Sequence, residues 1–192
     1  MDYMAQGVIG GNLINHRLKL GFIHIPKCGG CSITRYLHRL SNHWESLDPN
    51  EKAYAAEPFI DYKDYQLFTT VRHPVTWILS GYKFMKQRYS VEGPFDTHLD
   101  RILHNTYNDI DWRWHCAILP NTHIGNFKPK VFKLEETYKL KSWLTRYFHN
   151  SIEAKLEPEN VTEKEDIAVS GQHLEKIKTI AGKYANDYNY EL

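Results

Sequence analysis

The sequence predicts an α/β fold with a mostly parallel sheet flanked by helices. Short apolar, β-rich runs alternate with longer segments of helical periodicity, the arrangement from which parallel sheets are built. Two of the runs end close to a proline, Pro26 and Pro74, so the chain is punctuated where strands should give way to helices.

Leu20 to Ile25 (LGFIHI) is the first of these runs and reads as a buried strand. Ser32 to Leu40 follows as a helix, with Ile33, Tyr36, Leu37 and Leu40 on one face. Gln66 to Val71 (QLFTTV) is the second strand. Pro74 is suited to the first turn of the next helix, whose Ile78, Tyr82, Met85 and Tyr89 recur at helical spacing. Phe95 to Asn105 is read as a helix, with His98 and His104 on its surface. Lys130 to Leu134 (KVFKL) is a third strand, and Glu136 to His149 a helix carrying Leu140, Trp143, Leu144, Tyr147 and Phe148. Ser170 caps a last helix with Leu174, Ile177, Ala181, Tyr184 and Tyr188.

The 192 residues are 42% hydrophobic and 14% aromatic, enough for the core of a single domain spanning 1–192. Thirteen Tyr and five Trp suit a core edge or an aromatic-lined cleft. A formal net charge of +1 argues against a nucleic-acid coat and leaves room for a local basic pocket. No apolar run approaches the roughly 20 residues of a transmembrane helix. Met1 to Leu20 is broken by Asn12, Asn15, His16, Arg17 and Lys19, so it has no signal-peptide core, and the expected location is cytoplasmic. Three cysteines agree with free thiols.

In an α/β sheet, ligands sit beyond the carboxyl ends of the strands, and two motifs fall there. The first is Pro26-Lys27-Cys28-Gly29-Gly30-Cys31-Ser32, between the first strand and first helix. Its glycines permit a tight turn with N–H groups close to a ligand. Lys27 adds a full charge, Ser32 a hydroxyl and the helix N-terminus a partial charge. Together they make a cradle for phosphate or sulfate. The usual nucleoside-triphosphate loop ends in Gly-Lys-Ser/Thr, whereas this Lys precedes the glycines, and no acid is placed to hold Mg²⁺. Three other readings compete. The segment is also a plain glycine turn, or a thioredoxin-like redox pair Cys28–Cys31 at a helix start. A zinc site from Cys28, Cys31, His115 and Cys116 is the weakest, for want of a second CxxC, and no metal is expected.

The second motif is Val71-Arg72-His73-Pro74 with Ser80 in the helix behind it. Arg72 offers a planar, charge-assisted fork and Ser80 a hydroxyl, a pair suited to one phosphate. A redox fold has no use for it. A nucleotide carrying a separate 3′-phosphate does.

FIHIPKCGGCSI and FTTVRHPVTWILSGY together resemble the donor-binding signatures of the sulfotransferases, most closely the carbohydrate sulfotransferases. The resemblance implies a P-loop nucleotide-kinase-like fold and 3′-phosphoadenosine 5′-phosphosulfate (PAPS) as co-substrate. By that resemblance Lys27, Cys28, Gly29, Gly30, Cys31 and Ser32 hold the 5′ end of the donor, and Arg72 and Ser80 the 3′-phosphate. KVFKLEETYKLKSWL and KIKTIAGKYANDYNYEL are similar, more faintly, to later segments of the family. The family loop carries Thr where Cys28 and Cys31 stand. Cys is a weaker donor, but the backbone N–H groups are unchanged.

The expected activity is transfer of a sulfuryl group to an acceptor hydroxyl, with a carbohydrate as the expected partner and no nucleic acid. A non-catalytic nucleotide-binding protein of the same fold is the alternative. Lys27 is the candidate for charge at the leaving group. His43 and His115 are the candidate bases, with Glu57, Asp61 and Asp64 as acidic substitutes. His24 alternates with core residues and reads as a hydrogen-bonded strand residue. Trp112 and Trp114 are placed to stack on a sugar ring. Sugar, glycolipid, phenol and peptide tyrosine all remain open as acceptors.

Overall fold

The computed structural model describes residues 11–47, 59–106, 119–158 and 167–192. Along the chain come β1 (Leu13–Asn15), β2 (Leu20–Ile23), α1 (Gly30–Leu40), β3 (Glu45–Ser46), β4 (Gln66–Val71), α2 (Pro74–Tyr89) and α3 (Phe95–Leu103). They are followed by α4 (Pro120–Ile124), β5 (Lys130–Lys133), a 3₁₀ turn (Leu134–Glu136), α5 (Thr137–Leu144) and α6 (Gly171–Asp187). The chain divides into two compact units, Met1–Val71 with Thr122–Asn160, and Arg72–Asn121 with Val161–Leu192.

The first unit holds a five-stranded sheet in the order β3-β1-β2-β4-β5. The three strands expected from the sequence, β2, β4 and β5, form its parallel part. The two that were not expected extend it antiparallel from the other side of β2. They left no readable pattern because they have only three and two residues. Polar Asn12 precedes β1 and Asn15 is its last residue, yet both are buried. Asn12 Oδ1 accepts from the His24 N–H at 2.9 Å, and Asn15 Oδ1 accepts from the Leu18 N–H at 3.1 Å.

Phe22 and Phe68 are register partners on one sheet face, their rings 5.3 Å apart. Trp143 of α5 packs 5.1 Å from Phe68 and 5.4 Å from Phe132. Ile33, Tyr36 and Leu37 of α1 and Leu140 and Leu144 of α5 complete the same core. Burying each such aliphatic or aromatic side chain contributes about 1.5–3 kcal/mol. This is why the periodicity of those helices was legible.

Two helices are shorter than their patterns. α5 stops at Leu144, where Thr145 turns its hydroxyl back onto the Ser142 carbonyl at 2.7 Å. Tyr147 and Phe148 then reach the core from a turn. Phe148 is 8% exposed. α3 stops at Leu103, before Asn105 takes a left-handed φ of 51°.

The second unit packs α3 and α2 against α6. His98, expected on a surface, is buried instead, its ring 5.4 Å from Tyr82. Burial, helped by the charge of Arg101, pushes its pKa down to about 3. A neutral imidazole packs there as an aromatic, which is how a helical His escapes a polarity-based reading. Lys176 bridges Asp96 and Asp100 at 2.8 and 2.6 Å, tying α6 to α3. Ser170 caps α6 as expected. His173 returns the bond, its N–H donating to Ser170 Oγ while its Nδ1 accepts from the Ser170 N–H, each at 3.2 Å.

Candidate functional site

The loop Pro26–Ser32 leaves the carboxyl end of β2. Thr70, near the carboxyl end of β4, donates its hydroxyl to the Cys28 carbonyl at 2.7 Å. Leu134, just past β5, packs against Gly29 so closely that a Cβ there would lie 2.5 Å from Leu134 Cδ1. The loop therefore sits on the carboxyl ends of all three parallel strands, where α/β sheets place ligands.

Its backbone is specialised. Gly29 takes a left-handed φ of 78° as the N-cap of α1, and Lys27 a φ of 63°. A left-handed conformation at a residue with a side chain costs about 1 kcal/mol, and such residues collect at ligand-binding turns. The N-cap of α1 is a glycine, which offers no side chain to its first N–H groups, and no acid lies in the first turn. By contrast α2 is capped by the His73 ring and α6 by Ser170. The start of α1, with its glycine N-cap and half-buried Lys27 beside it, carries the partial positive charge of a helix N-terminus.

His24 explains Gly30. The imidazole is buried with its Nε2 edge where a Gly30 Cβ would stand. Its Nδ1 accepts from the Gly11 N–H at 2.9 Å, which assigns the ring proton to Nε2. Burial, and then the charges of His123 and Lys27, hold its pKa down to about 4, so the ring is neutral at pH 7. His24 is hydrogen-bonded as expected, but β2 ends at Ile23, so it lies one residue past the strand, where its ring shapes the floor of the loop. Cys28 is buried and Cys31 half-buried, and neither is in a disulfide.

Arg72 follows β4 directly and belongs to the second unit. Its Nε donates to Thr76 Oγ1 at 3.1 Å. Ser80 lies half-buried one further turn along the same face of α2. Thr76 had no signal in the sequence beyond its spacing of four from Arg72. The Arg72 backbone is held by Tyr184, whose hydroxyl donates to the Arg72 carbonyl at 2.6 Å and accepts from its N–H at 3.1 Å. His73 Nδ1 accepts from the Val75 N–H at 3.3 Å, and its Nε2 bonds the Glu191 carbonyl at 3.0 Å.

His43 lies beyond the carboxyl end of α1, and eleven helical residues, about 16 Å, separate it from the loop at the other end. It contacts Arg17 Nη1 at 3.3 Å, in the turn that enters β2. Asp64, paired with Lys19, likewise precedes β4. Both therefore stand at the amino ends of the parallel strands, opposite the Pro26–Ser32 loop, because a crossover helix carries the chain back across the sheet. Asp61 is exposed in the same approach to β4. His115, Cys116, Glu57, Trp112 and Trp114 lie outside the described residues.

Residues 12–190 match the family described as "Sulfotransferase family". The chain belongs to the sulfotransferase family. No protein of curated function matches the sequence. The crystal structure of a sulfotransferase from Alicyclobacillus acidocaldarius is similar at 15% sequence identity and a TM-score of 0.41. The match covers 70% of this chain and 58% of that one, so the chain spans under two thirds of the length of that relative. Family membership sets the thioredoxin-like reading aside. No described helix of this sulfotransferase-family chain is long and apolar enough to cross a membrane.

Proposed function

We propose that this chain transfers a sulfuryl group from PAPS to an acceptor hydroxyl on a carbohydrate. The observation that carries the reading is the glycine-capped start of α1, with Lys27 and two glycines at the carboxyl ends of β2, β4 and β5. That seat suits a singly or doubly charged anion and has no acid in its first turn to repel one. Gly29 and Gly30 bring the backbone N–H groups of the turn close to the anion. Lys27 supplies the full charge, and Cys28, Cys31 and Ser32 complete the loop. Arg72 and Ser80 take the 3′-phosphate, with Thr76 orienting the guanidinium.

The donor supplies, when bound, an activated sulfuryl group whose bridging oxygen gains negative charge as it leaves. Lys27 stabilises that growing charge, and its contribution is larger in the transition state than in the ground state. His115 is the remaining histidine candidate for the base, since His43 stands at the opposite end of α1. The protein is proposed to act in the cytoplasm.

Donor labelled in its sulfuryl group, offered with a panel of free oligosaccharides, a phenol and a tyrosine peptide, tests this directly. Label is expected in an oligosaccharide, and Lys27→Ala should lower turnover by roughly 10²–10³-fold. Label only in the phenol or peptide overturns the carbohydrate assignment. Tight binding of adenosine 3′,5′-bisphosphate without any labelled product makes the chain a nucleotide-binding protein rather than an enzyme.

A further inference from the structure

Arg72 is the first residue past β4, where the ladder of the sheet ends at the pair Val71 and Lys133. A backbone at such a point has lost its strand partner, and its polar groups must be satisfied in another way. One side chain supplies both bonds. The Tyr184 hydroxyl donates to the Arg72 carbonyl at 2.6 Å and accepts from the Arg72 N–H at 3.1 Å, imitating the strand partner that the sheet no longer provides. Tyr184 itself is fully buried in α6. Its ring is fixed by Tyr188 at 5.1 Å and Tyr190 at 6.2 Å. The next residue is held by the same end of the chain. The His73 ring sits edge-on to Tyr190 at 5.2 Å and bonds the Glu191 carbonyl.

The backbone at Arg72 is thus gripped from a point 112 residues away. An Arg side chain has many rotamers, and the direction in which it leaves its Cα is set by φ and ψ at that residue. Fixing both main-chain groups fixes that direction, and the bond from Nε to Thr76 fixes the guanidinium plane. The geometry points to Tyr184 as a positioning residue that gives the site its preference for a nucleotide with an isolated 3′-phosphate. This inference rests on the proposed role of Arg72 in holding that phosphate, and it adds that the selectivity is set by a phenol hydroxyl that never touches the ligand.

Tyr184→Phe tests it, since the ring and its packing stay while both bonds are lost. Affinities for adenosine 3′,5′-bisphosphate and adenosine 5′-monophosphate are measured by calorimetry in the parent and the variant. The parent is expected to prefer the bisphosphate. In the variant the bisphosphate affinity should fall roughly tenfold, the worth of one to two hydrogen bonds, while the monophosphate affinity stays within about twofold. Equal weakening of both ligands, or an unchanged ratio, overturns the positioning role and leaves the assignment of Arg72 standing. A parent with no preference at all overturns both. If the variant does not fold, the parent decides through exchange of the Arg72 amide. The inference requires that amide to be protected and to be protected further by the bisphosphate but not by the monophosphate. Fast exchange, or equal protection by both ligands, rejects it.

Discussion

The Pro26–Ser32 loop of the first unit and the Arg72–His73 turn of the second each follow a strand, yet different forces hold them. The loop is shaped by close packing: Leu134 against Gly29, the His24 ring against Gly30. The turn is shaped by polar groups drawn from the end of the chain, Tyr184 and the Glu191 carbonyl. Packing tolerates no added atom, whereas a hydrogen-bonded clamp tolerates volume but not the loss of a hydroxyl. The two regions should therefore fail under different insults, and three measurements press on that contrast.

Acid should produce the largest effect. His24 is neutral in the fold with its pKa near 4 and has an ordinary value near 6.5 when unfolded. The unfolded chain thus binds more protons between those values, and stability rises with pH across that window. His24 contributes on the order of 3 kcal/mol, fully present above about pH 6.5 and lost as pH falls towards 4. His98, held down to about 3, adds a loss in the same direction. Denaturant unfolding from pH 7 to pH 4 should show the decline, and His24→Gln should flatten it. An unchanged slope in that variant would remove His24 from the account.

Next comes Gly30→Ala, which puts a Cβ 2.0 Å from the buried His24 Nε2. A loss of about 2 kcal/mol is expected, with weakened bisphosphate binding. A variant as stable as the parent would show that packing does not define the loop. The smallest effect belongs to the polar turn. Thr76→Ala changes an exposed residue that bonds the half-buried Arg72 and should change stability by no more than about 0.5 kcal/mol. Its mark should instead be a modest, roughly twofold to fivefold, loss of bisphosphate affinity, because a charge-assisted site loses one orienting contact. A stability loss comparable to that of Gly30→Ala would erase the contrast between the regions.

What could be read from the chain follows from range. β4 was legible to the residue because QLFTTV is an unbroken β-rich run, and α6 because Ser170 caps it within three residues of its own backbone. The turn between β2 and α1 was legible because its glycines and helix start are consecutive. β1 was not, since its buried asparagines mimic a surface segment until their partners, His24 and Leu18, are known. His98 read as exposed because neutrality is conferred by surroundings that no local pattern encodes.

By itself the sequence determined the α/β alternation and the glycine turn between β2 and α1, both of which depend on residues close along the chain. Only the tertiary structure decided which groups serve that turn and the one at Arg72. It set His43 at the far end of α1, gave Gly30 its reason in the ring of His24, and brought Tyr184 onto Arg72 across 112 residues. The physical reason is that backbone propensity and apolar periodicity act over a few residues. A hydrogen bond or a steric floor instead acts between whatever the fold brings within about 3 to 4 Å.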